Sequence, residues 1–319
     1  MAECRLTIGW DDCSRADWDA YLAACGQSSL EQSWAYGTAI HAVGGRSVRR
    51  GVIRRDGEPL AIVQAFTRRR FLPLSVIQIP RGPLWLKDCG AEDRRAAYGA
   101  VRDCFRWRRR ELLVWMPELP DAPDSERLMR ACRCRRVVTG YSSLWLDLRR
   151  DESALRTALH GKWRNALRRG ESGRLRLGRG PGGGRLDWLL QRHEAFRRQA
   201  GFVGPPAALV RAIAADAAPE ELHVLCAYDG DADGQAEPLA GILLIGHGRS
   251  ATYYVGWTSD AGRRAQAHNL LLWRAIGDLK KNGTHWLDLG GVDARRAPGV
   301  ARFKLGLGGA LFTLSGTYI

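Results

Sequence analysis

Only five of the 49 basic residues in this 319-residue chain are lysine. A plain solvated cation here is nearly always arginine, so each retained lysine stands out. Lys304 follows Phe303 shortly after the run Asp288-Leu289-Gly290-Gly291. A fixed ammonium stabilises an oxyanion best where water is scarce, and a carboxylate closing a strand could take a proton from an attacking amine. The plainer readings are a surface lysine beside a core phenylalanine and a carboxylate that caps a turn. Arg81 stands between Pro80 and Gly82, residues that preset a turn, and could anchor a phosphate or carboxylate. The same segment could simply connect two elements. Around 153–169, Leu155, Leu159, Trp163 and Leu167 share a helical face, and Arg156, Lys162, Arg164, Arg168 and Arg169 fall on the other. Such a stripe neutralises phosphates with an affinity that falls with salt; a solvated charged face has the same pattern. Arg263-Arg264 precede a helix expected over Asn269–Lys281, whose first N–H groups can meet an anion. Tyr253 and Tyr254 lie on a strand, where alternation lets one of them face a cleft.

Other chemistries find no support. The seven histidines have no partner arrangement for a serine- or cysteine-based acyl-enzyme, and neither GxSxG nor a P-loop occurs. Eight cysteines are scattered without paired spacing or a histidine cluster, so no zinc site is expected. Direct attack on an activated acyl donor, without metal or cofactor, is the expected chemistry. The start MAECRLTIGWDD lacks the basic and apolar regions of a signal peptide, and no apolar run is long enough to span a bilayer. A cytoplasmic protein with reduced thiols and no stable membrane insertion is expected. The net charge of +15 suits a polyanionic partner, nucleic acid first. Arg-rich chains that bind none also exist.

Positioning these residues takes two halves of similar layout. Ser47–Arg55 alternates as a strand, Asp56-Gly57 turns, Pro59–Thr67 returns, and Leu74–Ile79 leads into Pro80-Arg81-Gly82-Pro83. Later, Leu222–Tyr228, Leu239–Gly246 and Ala251–Trp257 repeat the three strands, with Gly230–Glu237 as a loop. Each half then has a helix, 91–109 or 269–281, and a short strand, Leu112–Met116 or His285–Leu289. Gly283 is placed to end the second helix. One long helix is expected over 153–169, and 179–184 reads as a flexible loop. The order argues for a duplicated α/β unit with mixed sheets flanked by helices. Domains are drawn at 1–150 and 151–319, with the strand Ser143–Leu148 closing the first.

Four segments carry a resemblance. Glu31-Gln32-Ser33-Trp34-Ala35-Tyr36-Gly37, Pro80-Arg81-Gly82-Pro83, Leu159-His160-Gly161-Lys162-Trp163-Arg164-Asn165, and Asp288-Leu289-Gly290-Gly291 with Gly299 through Phe303-Lys304 to Gly309 stand in order along the chain. Together they resemble the FemABX family, which transfers amino acids from aminoacyl-tRNA to peptidoglycan precursors. The resemblance implies tandem GNAT-like (acyl-CoA N-acyltransferase-like) domains, without the coiled-coil arm some members carry. It implies catalysis by Lys304 and Asp288. It also implies substrate contacts by Arg81, Tyr36, Arg198, Tyr254 and Phe303, and tRNA contacts by Lys162, Arg164, Arg168, Arg169 and Arg264. The run Arg197-Arg198-Gln199-Ala200-Gly201-Phe202 is similar to the family's RxGF segment, though Gln199 could occupy the arginine's place, which puts a UDP-linked acceptor in question. An acyl-CoA enzyme would keep [RQ]xxGx[GA]; here Arg264-Ala265-Gln266-Ala267-His268-Asn269 lacks both glycines. The expected partners are therefore aminoacyl-tRNA and an amine, either a peptidoglycan precursor or a small metabolite. CoA-dependent N-acylation is the alternative, and a non-catalytic nucleic-acid binder ranks last.

Overall fold

The computed structural model describes residues 6–71, 74–201, 204–230 and 236–319. Two compact units divide the chain: Met1–Ser142 with Phe312–Ile319, and Ser143–Leu311. The strand 143–148, grouped above with the first half, thus lies in the second unit, and the C-terminal strand lies in the first.

The first unit runs β1 (Leu6–Trp10), α1 (Arg15–Ala24), α2 (Trp34–Gly44), β2 (Ser47–Arg55), β3 (Glu58–Phe71), β4 (Leu74–Pro80), β5 (Leu84–Trp85), α3 (Ala91–Cys104), β6 (Glu111–Met116), α4 (Pro123–Ala131) and β7 (Arg136–Val138). The second runs β8 (Ser142–Asp147), α5 (Glu152–Ala158), α6 (Gly161–Ser172), β9 (Arg176–Gly180), α7 (Gly184–Ala200), α8 (Ala207–Asp216), β10 (Leu222–Tyr228), β11 (Ala240–His247), β12 (Ser250–Thr258), α9 (Asp260–Arg264), α10 (Ala267–Lys281), β13 (Trp286–Gly291) and α11 (Pro298–Leu305). β14 (Ala310–Thr313) and β15 (Thr317–Tyr318) end the chain.

One sheet is ordered β1-β2-β3-β4-β6-β15-β7, with β5 on β3; the other is ordered β14-β8-β13-β12-β11-β10-β9. Both are mixed, because β4 pairs β6 and β12 pairs β13 in parallel while their hairpin partners run antiparallel. The β2–β3 hairpin turns at Asp56 and Gly57, φ 51° and 89°; positive φ at both turn residues matches the twist of the strands they join. Residues 60–66 of β3 are buried without alternation, as a strand covered on both faces should be. In the second unit α10 buries Leu270, Leu271, Leu272, Trp273, Ala275, Ile276 and Leu279, and Gly283 ends it at φ 76°.

The family-like segments at 31–37 and 80–83 interlock. Register pairing of β3 with β4 stops at Phe66↔Gln78. Beyond it the fully buried Gln32 amide takes the place of a strand neighbour. Its Nε2 donates to the Pro80 carbonyl (2.6 Å) and the Gln64 carbonyl (3.3 Å), and its Oε1 accepts the Gln64 N–H (2.6 Å). A Cβ on Gly82 would come 2.9 Å from this amide, so the turn needs glycine there.

Several expected elements differ. The helix over 91–109 stops at Cys104, and a 3₁₀ turn, Trp107–Arg109, follows. The helix over 153–169 is two helices, because Leu159 turns extended and the His160 N–H goes to the Gly306 carbonyl (2.9 Å) instead of continuing the helix. Gly308, at φ 74°, packs so closely that a Cβ would fall 2.2 Å from the Ala158 carbonyl oxygen. Arg263 and Arg264 belong to the one-turn helix α9, capped by Ser259, rather than to a loop. Of the loop at 179–184, Arg179 and Gly180 end β9, and Arg179 pairs with Asp278 at 3.0 Å. Part of the loop 230–237 lies outside the described residues. The longest helix described, α7, has 17 residues, too few for a coiled-coil arm.

Candidate active site

The second unit's sheet opens where the parallel strands part. β12 and β13 pair only at Ser250↔Trp286, Ala251↔Leu287 and Thr252↔Asp288, and then both run on unpaired with each other. The equivalent pair in the first unit, β4 and β6, keeps six register pairs, and the Arg81 N–H extends them to the Met116 carbonyl. Only the second unit therefore frees strand backbone for a ligand at this point.

Lys304 sits at that parting. Its Nζ donates to the Gly291 carbonyl at 2.8 Å, and a Cβ on Gly290 would lie 3.7 Å from both this Nζ and the Tyr253 carbonyl. The side chain is 8% exposed. Burial lowers its pKa to about 8, with the Asp288 charge opposing the shift. Gly291 itself is exposed, so the ammonium lies one residue beneath the surface. Asp288 is buried, and its Oδ1 accepts the Ser143 hydroxyl and the Gly290 N–H (2.7 Å). Those bonds make it the brace of the Gly290 turn, the turn-capping alternative raised from sequence.

A pair the sequence reading missed lies alongside. The Tyr253 hydroxyl and His268 Nε2 are 2.7 Å apart, and Lys304 Nζ is 6.0 Å from the Tyr253 ring centroid. Burial pulls the His268 imidazole down to about 4 and pushes the Tyr253 phenol up, so both are neutral near pH 7. A Cβ on Gly256 would fall 1.8 Å from the Tyr253 hydroxyl and 2.9 Å from His268 Cε1; glycine makes room for the pair. Tyr254, the expected contact, is instead the extra residue of a β-bulge, since Leu243 faces Val255 and Leu244 faces Tyr253. The bulge breaks the alternation from which a choice between the tyrosines was drawn.

A cleft of about 770 Å³ adjoins this cluster through Phe303, whose ring is 5.2 Å from His268 and 5.9 Å from Trp163. Lys162 and Trp163 of the first turn of α6, Asn269 of α10, and Arg302 and Phe303 of α11 line it. His160, the α6 N-cap, makes no side-chain cap bond, leaving the first N–H groups of α6 open to an anion. The Trp163 indole N–H is buried without a hydrogen-bond partner among the described residues. Gly306 lets α11 close on Trp163, where a Cβ would come 2.7 Å from Cδ1. Lys304 is not among the lining residues; it serves the strand parting rather than the cleft.

The remaining expected residues separate. Lys162, Arg168, Arg169 and Arg264 are exposed. Arg164 turns inward, its Nη2 donating to the Thr157 and Leu159 carbonyls at the end of α5 (3.2 and 2.9 Å). Arg198 is exposed on α7, with Nε 3.5 Å from Glu194; Phe202 of the same run lies outside the described residues. Tyr36, on α2, packs its ring 6.0 Å from Phe66, and burial raises its phenol pKa. Arg81 is buried with φ 52° and forks onto Glu118 with two 2.7 Å hydrogen bonds. That pair is a bidentate bond within the unit, in place of the free anchor expected. Among the described residues no three His, Cys, Asp or Glu side chains gather as a metal site, and no helix is long and apolar enough to cross a membrane.

Comparison with known proteins places this geometry. Residues 153–305, most of the second unit, match the acetyltransferase (GNAT) domain family. The crystal structure of FemX superposes with a TM-score of 0.81 over 97% of this chain and 96% of its own, at 14% identity. A tandem GNAT protein from the clavulanic acid biosynthesis pathway gives 0.55 over 98% of each chain at 11% identity. The C-terminal domain of a putative lysylphosphatidylglycerol synthetase from Agrobacterium fabrum gives 0.55 over 96% and 91% at 14% identity. No curated protein matches the sequence. At such identities the likeness is one of fold, and on fold the chain stands with FemX among the tandem GNAT-like proteins, as its motifs implied.

Proposed function

We propose that the protein is an aminoacyltransferase that takes an amino acid from aminoacyl-tRNA and joins it to an amine by direct aminolysis. One observation carries this reading. The second unit's cleft combines an open helix N-terminus, the cations Lys162 and Arg302 and the rings of Trp163 and Phe303, beside the buried ammonium of Lys304. Phosphates meet the cations and N–H groups, and an unpaired base finds the half-buried Phe303 ring to stack on, with Trp163 packed behind it. The exposed Lys162, Arg168 and Arg169 continue the basic surface along α6.

The acceptor amine attacks the ester carbonyl, and a C–N bond forms as the carbonyl oxygen gains negative charge. The Lys304 ammonium, held by the Gly291 carbonyl, offsets that charge in a water-poor setting. The carbon–oxygen ester bond then breaks, and the proton lost by the amine ends on the ribose hydroxyl. The ester is already activated, so alignment and charge stabilisation supply the catalysis. The acceptor is a peptidoglycan precursor or a small amine metabolite.

CoA dependence is the second reading, favoured by the GNAT domain match. The start of α10, where a pyrophosphate would be cradled, speaks against it. Ala267 is fully buried there, and Gly170 of α6 lies so near that its Cβ would sit 3.2 Å from the Gln266 carbonyl. Incubation with charged tRNA pools and a panel of amines, with acetyl-CoA in parallel, tests the proposal. Amide product formed from charged tRNA supports it; product formed only from acetyl-CoA rejects it.

A further inference from the structure

The first unit carries a surface that transfer chemistry does not use. Between α3 and β6, the five consecutive residues Arg106-Trp107-Arg108-Arg109-Arg110 are all exposed, and Trp107 is 68% exposed. Several other exposed arginines of this unit sit beside carboxylates, as Arg55 does with Asp93 and Arg130 with Glu126. Among the described residues no carboxylate lies within ion-pair distance of the four arginines of this turn; the side chain of Arg106 reaches only the Asp103 carbonyl, at 3.1 Å.

The turn is held rigidly. The Arg109 and Arg110 N–H groups bond back to Arg106 and Trp107 (2.9 and 2.7 Å), Glu111 accepts the Arg106 N–H, and Ser75 of β4 donates to the Arg110 carbonyl (2.9 Å). Arg110 accepts φ 57° to close it, so little order remains to be lost on docking. Exposed Arg68 lies at the same end of the sheet, opposite Val76.

We infer that this turn is a docking point for an anionic phospholipid surface. Four guanidinium groups without a carboxylate partner supply charge for lipid phosphates, and an indole held clear of the fold is the side chain that settles at the headgroup level. A nucleic-acid partner fits less well. One 3₁₀ turn rises only about 6 Å, too short to follow a run of phosphates, and a duplex offers no open base for Trp107 to stack on. The contact is peripheral, since no described helix is long and apolar enough to span a bilayer.

Co-sedimentation of the full chain with phosphatidylcholine vesicles, with and without one third phosphatidylglycerol, tests the inference. The variants are Trp107→Ala and the pair Arg108→Gln with Arg109→Gln; all three side chains are exposed, and thermal melting checks that the fold is kept. The wild type should bind the anionic vesicles preferentially and release them at about 1 M salt, where screening reaches about 3 Å. The double variant should bind roughly twentyfold or more weakly, at about fivefold per arginine, and Trp107→Ala roughly tenfold more weakly. Equal binding to neutral vesicles, no binding, or variants that bind like wild type would overturn it. So would variants that lose affinity for single-stranded RNA while keeping vesicle binding.

Discussion

Replacing Lys304 by methionine separates what this residue does for the reaction from what it does for the fold. The substitution keeps the length of the side chain and removes the charge. Burial lowers the ammonium's pKa from 10.5 to about 8. At about 1.4 kcal/mol per unit, keeping the charged form in the fold costs about 3 kcal/mol. The folded group gives up its proton at lower pH than the unfolded one, so between about 8 and 10.5 the unfolded chain holds more protons. Wild-type stability should therefore rise with pH across that window. Methionine has no charge to bury. It forfeits the hydrogen bond to Gly291, worth about 1 kcal/mol, from a carbonyl on an exposed residue that water can reach. The balance is a gain of about 2 kcal/mol near neutral pH, shrinking as pH approaches 10.5. Urea unfolding at neutral and alkaline pH measures it, while turnover of the same protein should fall about a hundredfold or more. A variant less stable at neutral pH, or one with wild-type turnover, would refute the reasoning.

Gly256→Ala should disrupt the Tyr253–His268 pair, because the new Cβ falls 1.8 Å from the hydroxyl. Stability should drop by about 1–3 kcal/mol, and turnover should drop too, as melting and transfer assays would read. Gln32→Leu leaves the Gln64 N–H and the Pro80 carbonyl unpaired in the interior, so chemical denaturation should show a loss of about 3 kcal/mol or more. In a pH profile, turnover should decline as pH rises through about 8, where Lys304 loses its proton. His268, held at about 4, should contribute no step near neutrality, which His268 NMR titration checks directly. Lys162→Gln with Arg168→Gln should weaken charged-tRNA binding and reduce its salt slope by about 0.7–0.9 for each phosphate left without its cation, as a filter-binding salt series would show.

What could be read from sequence was what depends on neighbours in the chain. Asp56-Gly57 and Gly283 announce their turns because left-handed backbone is a local demand, and Leu222–Tyr228 runs apolar as its buried place in the sheet requires. Ser47–Arg55 does form a strand, but Gly51, Val52 and Ile53 are all buried, without the alternation expected of it. The break at Leu159–His160 was hidden because its cause is Gly306 and Gly308, far along the chain. Arg81 gave no sign that Glu118 would engage it, and the bulge at Tyr254 is a register event between strands. His268 escapes a reading of the sequence because its partner is a tyrosine one turn and one strand away. The nearest clue is Gly256, a glycine inside an otherwise strand-forming run.

The central claim is that the end of an aminoacyl-tRNA engages the second unit's cleft. Hydrogen exchange with a short RNA bearing a stable 3′-amide-linked amino acid measures it directly. The account predicts protection concentrated at 160–166 and 299–306, weaker with the same RNA uncharged, which keeps the phosphates and bases but lacks the amino acid, and absent with acetyl-CoA. Protection from acetyl-CoA at the start of α10, with none from the aminoacyl-RNA, would contradict it.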